Sequence, residues 1–418
     1  MKQVCNIKEK VNQDPLTCLI RSGAKDLIAK AVEAELLEYK KVFEQDLSAQ
    51  GHKRVVRNGY QPERDIQTGI GPVSVKIPKV RARWGDSACF QSSLVPPFVR
   101  KTKSLEAALP WLYLKGISSG QICEALQVLV GPEAKGLSSS VISRLKQTWS
   151  DEYKDFRKRN LSNKQWVYIW ADGVYSGLRN EDTKLCALVI IGVEENGNKE
   201  LLAIEDGMRE STQSWNEVLL QLKQQGMNAP KLAIGDGAMG FWSALDQVYP
   251  KTRHQRCWVH KIKNVLNCLP KKIQPKAKSM LHDIYMAESK KDAQKALALF
   301  IKIYKDKYPK AVKKLADQET LLTFFDFPAS HWQSIRTSNP IESTFATIRH
   351  RTKKTRGCLS RNTMLSMMFK LGICAQGKWR KLRGFVYLAK IIQMKNFVDG
   401  IEQDELENNN NQQTSHAA

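Results

Sequence analysis

Between Gln165 and Gly237 the chain alternates short apolar runs with turn residues, and this stretch most limits what it can fold into. Trp166 to Trp170, Leu185 to Val193, Leu201 to Ile204 and Lys231 to Ile234 are rich in β-branched and aromatic residues and read as four strands. Glu194-Glu195-Asn196-Gly197-Asn198 is a turn that folds the third run back on the second. A helix from about Gln213 to Gln225 separates the third run from the fourth. A hairpin-rich sheet followed by helix–strand units predicts a mixed α/β fold. From Lys263 to about Phe325 the sequence is almost wholly helical, rich in Lys and Ala, and reads as an insertion.

The rest of the chain is mainly helical. Leu19, Ile20, Leu27, Ile28, Ala31, Val32, Leu36 and Tyr39 recur at helical spacing, as core packing or as a contact between two copies. Arg57-Asn58-Gly59-Tyr60 reads as a turn, and Val73, Val75 and Ile77 alternate like a strand. Lys103 to Asp151 predicts three helices. Ile122, Ala125, Leu126 and Leu129 mark the second, and Ser138-Ser139-Ser140 caps the third. As a helix-turn-helix, this stretch presents Ser140, Ser143, Arg144 and Gln147 to a DNA major groove; as plain three-helix packing it reads nothing. Met364, Met367, Met368 and Leu371 form a core stripe.

Charge narrows the function. With 66 Lys+Arg against 42 Asp+Glu, the net charge is +24. That excess suits a polyanion, because neutralising phosphates releases condensed counterions. No run approaches the roughly 18 apolar residues that span a bilayer. Met1 to Asp14 is polar, without the apolar stretch of a signal peptide, and nine cysteines at scattered spacings argue against a disulfide framework. A reducing compartment, a bacterial cytoplasm with its nucleoid, is expected.

Three acids stand out. Asp172 follows an apolar run in Trp170-Ala171-Asp172-Gly173, and Asp236 ends another in Ile234-Gly235-Asp236-Gly237. An acid at a strand end beside small residues presents its carboxylate to a crevice; a turn or helix-capping role is the plainer alternative. Glu342 is the third residue after Asn339, and Asn339-Pro340-Ile341-Glu342 also reads as a capping box. Cys257 and His260 have a metal-ligand spacing without an obvious second pair, which leaves a closed four-ligand zinc site without support and a buried structural pair as the alternative. Trp258 between them reads as core.

Taken in order, Trp170 to Gly173, Ile234 to Gly237, Cys257-Trp258-Val259-His260-Lys261 and Arg336-Thr337-Ser338-Asn339-Pro340-Ile341-Glu342-Ser343 resemble the bacterial insertion-sequence transposases of the Mutator superfamily. The basic residues Arg349, Arg351, Lys353, Lys354 and Arg356 add to the likeness, as does Arg57 to Tyr60 with Arg64-Asp65. The resemblance implies a ribonuclease H-like core with an all-helical insertion between the second and third acids, and a mainly helical N-terminal DNA-binding region. It implies that Asp172, Asp236 and Glu342 are the catalytic carboxylates and hold two Mg²⁺ (or Mn²⁺) ions, and it makes Cys257, His260 and Asn339 signature residues. Arg144, Arg336, Arg349, Arg351, Lys353, Lys354 and Arg356 are the candidate DNA contacts.

The organisation expected on this basis is an N-terminal helical and basic region over 1–100, a helix-turn-helix region over 101–151 and a first core segment over 163–266. The insertion over 267–335, a last core segment with basic helices over 336–396 and a disordered tail over 397–418 follow. The function implied is binding of an element's terminal inverted repeats, then metal-dependent cleavage and transfer of DNA strands into target DNA. A homodimer or higher oligomer on DNA, away from membranes, is the expected assembly. The competing readings are an inactive transposase-derived DNA-binding regulator and a ribonuclease H-like nuclease that cleaves without joining.

Overall fold

The computed structural model describes residues 15–114, 117, 121–130, 139–178, 181–207, 209–237, 239–342, 345, 346, 348 and 360–403. The chain divides into two compact units, 1–145 and 146–418.

The first unit opens on a long helix, α1 (Pro15–Lys41), followed by four strands: β1 (Val55–Tyr60), β2 (Arg64–Thr68), β3 (Gly71–Val75) and β4 (Pro78–Ala82). Strand β1 pairs antiparallel with β4, and β2 with β3. Val32 and Leu36 of α1 bury against Ile66, Val73, Val75, Ile77 and Phe90, while Leu19, Ile20 and Leu27 stay exposed. Within the described residues 15–100 the long helix α1 is thus joined by four short strands, which the helical reading of this region did not include. The apparent turn at Arg57–Tyr60 lies inside β1. Gly59 takes φ +71° there and the register slips between Arg57 and Tyr60, so the glycine makes a bulge in a continuing strand.

Helices α2 (Lys103–Leu114), α3 (Ile122–Val130) and α4 (Ser139–Phe156) form where the spacing predicts them. Leu126 is buried but Leu129 is exposed. Residues 131–138, the turn of the helix-turn-helix reading, lie outside the described residues.

The second unit is built on a five-stranded sheet. Its strands are β5 (Trp166–Leu178), β6 (Glu181–Glu194), β7 (Lys199–Gly207), β8 (Leu232–Gly235) and β9 (Arg253–Arg256), in the order β7-β6-β5-β8-β9. The first three are antiparallel neighbours joined by short connections. The pairs β5–β8 and β8–β9 are parallel, so each needs a crossover, supplied by α5 (Thr212–Gln224) and α6 (Met239–Val248). Alternation along β5 covers both faces of the sheet. Ile169 and Ala171 pack in one core with Trp215, Leu219, Phe241 and Leu245 of α5 and α6. On the other face the Tyr168 hydroxyl meets His331 Nδ1 at 2.8 Å, and Trp170 Nε1 donates to the Ser334 carbonyl at 3.2 Å.

Beyond the sheet lie α7 (Trp258–Leu266), α8 (Gln274–Tyr285), α9 (Lys290–Tyr304), α10 (Pro309–Lys313) and α11 (Gln318–Leu322), the all-helical stretch the sequence predicts. Next come α12 (Trp332–Ile335) and α13, whose described helical residues are 339–342, 345, 346 and 348. Helices α14 (Arg361–Gln376) and α15 (Leu388–Ile392) and a short hairpin, β10 (Phe397–Val398) with β11 (Ile401–Glu402), complete the unit. Met364, Met367, Met368 and Leu371 are buried on α14 as expected. Among the described residues no helix is long and apolar enough to cross a membrane. The disordered-tail reading of 397–418 fails at its start, where the β10–β11 hairpin forms; residues 404–418 lie outside those described.

Candidate active site

The sheet register builds the site. Ala171 of β5 is paired with Gly235 of β8, and Gly235 with Arg256 of β9. One residue further on stand Asp172, inside β5 and still paired with β6, and Asp236 and Cys257, just past the ends of β8 and β9, abreast of one another where the parallel pairing stops. Adjacent strands lie about 4.8 Å apart, so the two aspartates are neighbours by backbone geometry alone. Asp172 shares its face of β5 with Tyr168 and Trp170, toward the segment carrying Glu342.

Asp236 is held from behind. Its carbonyl accepts from Trp242 Nε1 at 2.9 Å and from Arg256 Nη1 at 3.4 Å. The Cys257 N–H continues the β8–β9 pairing by donating to the Gly235 carbonyl at 2.7 Å. Burial, with the Asp236 and Glu210 charges adding to it against the opposing His260 charge, pushes the Asp172 carboxyl up to about 7. Such a carboxylate is poorly solvated and lacks enough positive charge around it.

Glu342 reaches the site from α13. The helix begins one residue earlier than the capping-box reading places it, because the Ser338 carbonyl accepts from the Glu342 N–H at 3.1 Å and makes Ser338 the N-cap. Asn339 is then the first helical residue and Glu342 the fourth, beyond the capping-box position. Ile341, Phe345 and Ile348 are buried, as the sequence stripe predicts. The Ser338 hydroxyl, fully buried, donates to Glu342 Oε1 at 3.3 Å. It also lies 3.2 Å from Cys257 Sγ and 3.5 Å from His260 Nδ1, and the Ser338 N–H donates to the same sulfur at 3.2 Å.

Cys257 caps α7 and His260 sits in its first turn, with His260 Nε2 3.8 Å from Glu342 Oε1. The hydrogen bond to Cys257, with the Asp172 and Asp236 charges, raises the His260 imidazole to about 9 despite its burial. Among the described residues, Cys257, His260 and Glu342 form the set of ligand-type atoms that lie within 4.8 Å of one another. Glu342 thus stands with the cysteine–histidine pair, and His260 links it electrostatically to the two aspartates. Trp258 is core: it is fully buried, donates to the Leu321 carbonyl at 2.9 Å and stacks on Tyr285.

Sequence reasoning missed Glu210, which precedes Ser211, the N-cap of α5. Its carboxylate lies against Gly173, accepts from the Tyr175 hydroxyl, and interacts with the Asp172 and Asp236 charges. Nothing local marks it, since its place depends on contacts distant in the chain. Arg336 donates to the Tyr285 carbonyl at 2.8 Å with its guanidinium over the Tyr285 ring, an internal use not foreseen for a DNA contact. Arg144 is exposed on α4. Arg349, Arg351, Lys353, Lys354 and Arg356 lie outside the described residues.

These features define an α/β protein with acidic side chains gathered where the parallel pairing of its sheet stops, carried by a strongly basic chain. The family profile described as "Transposase, Mutator family" matches residues 2–372, and the chain belongs to that family. It is 49% identical over 280 residues to a transposase for insertion sequence element IST2 of Acidithiobacillus ferrooxidans, covering 66% of this chain and 95% of that one. Over 277 residues it is 49% identical to a transposase for insertion sequence element IS6120 of Mycolicibacterium smegmatis, covering 66% and 85%. Among solved structures, the Drosophila P element transposase strand transfer complex aligns with a TM-score of 0.30 and 11% identity, over 72% of this chain and 85% of that one. Transposases act on DNA, cleaving and transferring its strands, and this chain is a transposase by family.

Proposed function

We propose that the chain binds the terminal inverted repeats of an insertion sequence and cuts and joins DNA ends at Asp172, Asp236 and Glu342. The observation that carries this reading is the register that sets Asp172 and Asp236 abreast where the parallel pairing of β5 with β8 stops. A sheet of three antiparallel strands extended by two parallel ones, in the order β7-β6-β5-β8-β9, is also the arrangement of a ribonuclease H-like core. The helical stretch between Asp236 and Glu342 fits the insertion of that reading.

The donor chemistry fits hard divalent cations. Carboxylate oxygens suit Mg²⁺ or Mn²⁺, and Mg²⁺ keeps several waters, so few protein ligands suffice. A buried, crowded Asp172 gains from an added cation, which offsets the charge that burial opposes. Asp172 and Asp236 hold such ions from the sheet, and Glu342 from α13. When bound, a pair of these ions supplies charge stabilisation to the attacking and leaving oxygens of an in-line displacement at phosphorus.

The chain's own groups set the geometry. Trp242 and Arg256 fix the Asp236 backbone, and Ser338 directs the Glu342 carboxylate. His260 lies between Glu342 and the two aspartates, its imidazole raised by the Cys257 hydrogen bond and the aspartate charges. Attack by water on a phosphodiester breaks the bond to the 3′ oxygen and leaves a 3′-hydroxyl and a 5′-phosphate; that 3′-hydroxyl then attacks a target phosphodiester, joining to its phosphorus and displacing the target's 3′ oxygen as a hydroxyl. Exposed Ser143, Arg144 and Gln147 on α4 are the side chains proposed to read the element's ends, and a dimer or higher oligomer is the proposed assembly.

Asp172→Asn, Asp236→Asn and Glu342→Gln change little volume but remove metal-binding charge. Each is expected to abolish Mg²⁺-dependent cleavage of DNA carrying the element's ends while leaving end binding intact. Wild-type cleavage by any one variant removes that acid from the centre. Cleavage by all three at the wild-type rate overturns the reading.

A further inference from the structure

The helical stretch between Asp236 and Glu342 carries a charge that its packing does not explain. From Lys261 to Lys314, across α7 to α10, fifteen lysines stand against four acids, Asp283, Glu288, Asp292 and Asp306. That net +11 in 54 residues is nearly half of the whole chain's +24. No arginine occurs between Lys261 and Ile335, so lysine alone carries the excess.

The fold turns this charge outward. Helix α8 buries Ala277, Leu281 and Ile284, and α9 buries Ala293, Leu297, Phe300 and Tyr304. Lys276, Lys278, Lys291 and Lys302 are exposed on the same two helices. On α10, Ala311 is buried, with Leu315 just beyond it, and Lys310, Lys313 and Lys314 are exposed. Among the described residues two of the fifteen lysines form ion pairs, Lys290 with Asp326 at 3.1 Å and Lys295 with Asp292 at 2.8 Å. A surface kept only for solubility intersperses both signs. Here Lys310 has Lys313 and Lys314 three and four residues on, where like charges on a helix repel. The face works against its own helices unless a polyanion covers it.

This charge also adjoins the catalytic centre. Cys257 caps α7 and His260 lies in its first turn. The next residue, Lys261, donates to the Lys314 carbonyl at 2.9 Å and ties α7 to the end of α10. Burial, then the Arg256 and Lys314 charges, hold the Lys261 ammonium below its ordinary range against the opposing Asp317 charge. Positive charge is therefore already crowded where the helices leave the centre.

The use of lysine alone says what kind of DNA fits. An ammonium is a point charge on a flexible stem, without the fixed fork of arginine. Contacts of this kind to phosphates position a duplex and carry no sequence information. An element's ends have one sequence, whereas target DNA has many. We propose that the exposed lysines of α8 to α10 form a sequence-independent docking surface for target DNA beside the catalytic centre. The inference rests on the reading that the chain joins DNA ends to a target.

The test uses the full-length protein and pre-cleaved element ends that already carry a 3′-hydroxyl, so joining to a plasmid is read apart from cleavage. Binding of a duplex lacking the element's sequence is measured beside it, from low to moderate salt. Lys310→Gln with Lys313→Gln removes two exposed charges. Lys251→Gln, exposed before β9 at the other end of the sheet, controls for general loss of positive charge. The double variant is expected to lower the log–log salt slope by roughly 1.8, about 0.9 per phosphate, and to slow joining about tenfold. Binding and single-turnover cleavage of the element's ends should match the wild type, and the melting temperature should not fall. An unchanged slope with wild-type joining overturns the inference and leaves a solvated face. Equal losses on element ends and target overturn it in favour of donor DNA, and an equal loss per charge in Lys251→Gln overturns it in favour of net charge. Should the wild-type protein join no ends, the wider reading falls, while the slope still shows whether this face holds a duplex.

Discussion

Ser338→Ala tests the contact that the structure uses to aim Glu342. The substitution deletes one hydroxyl with no solvent exposure, leaving Glu342 Oε1, Cys257 Sγ and His260 Nδ1 without their shared partner. The backbone contacts survive: the Ser338 N–H still donates to Cys257 Sγ and its carbonyl still accepts from Glu342. Helix α13 should therefore start at the same residue, and the loss is confined to side-chain polar groups. Leaving a buried polar group unsatisfied costs about 1–3 kcal/mol. For a unit of this size that lowers the melting temperature by roughly 2–10 °C. A freed Glu342 carboxylate loses its fixed direction, and misplacement by about 1 Å costs up to roughly a hundredfold in rate. The assay pairs melting with single-turnover cleavage in Ser338→Ala, Cys257→Ala and the double variant. Because the two side chains touch, their effects should be non-additive by about 0.5–3 kcal/mol. Additive losses, or wild-type melting and cleavage in Ser338→Ala, would refute the brace.

Two further outcomes follow from the same face of the sheet. His331 is fully buried between the Tyr168 hydroxyl and the Gly384 carbonyl, and burial lowers its imidazole from 6.5 to about 4. The unfolded chain therefore binds the extra proton first, and stability is lost as pH falls from about 6.5 through 4, by up to roughly 3 kcal/mol. Urea melts of the wild type and His331→Gln at pH 7 and pH 5 check this: equal pH slopes would rule His331 out. Arg336→Ala should lower the melting temperature and slow cleavage, since the guanidinium holds the Tyr285 carbonyl, yet leave the salt dependence of DNA binding unchanged. A slope reduced by roughly 0.9 would instead make Arg336 a phosphate contact.

The readable parts of the fold are those where burial and period coincide. Strands β5 to β8 announce themselves because both faces of the sheet are covered, so nearly every residue from Trp166 to Ala171 is apolar. The same burial made Asp172 and Asp236 visible as acids at the ends of apolar runs. Strand β9 was not visible: Arg253-His254-Gln255-Arg256 has no apolar period and is a strand through its pairing with β8. Gln255 is buried there by bonding the Phe324 N–H and the Leu321 carbonyl, both distant in sequence. Ser338 and Asn339 are equally competent caps, and Pro340 fits the first or second helical position. The choice of Ser338 goes with its contact to Cys257, which no local pattern encodes. Glu210 is harder still, because its signal is the space left at Gly173, itself explicable as a turn residue.

The two sides of the centre also differ in what holds them. Asp172 is fixed by the pairing of β5 with β6, and Asp236 follows the buried strand β8 with Trp242 and Arg256 on its carbonyl. Glu342 depends on a relay through the helical region. The Trp258 N–H donates to the Arg336 carbonyl, Arg336 reaches Tyr285 of α8, and Trp258 Nε1 reaches Leu321 of α11. The segment before α13 is thus moored to the helices that separate Asp236 from Glu342 in sequence. Loosening those helices should move Glu342 while leaving the aspartate pair in register. That asymmetry gives the all-helical stretch a mechanical role: it sets the position of the acid that the sheet cannot.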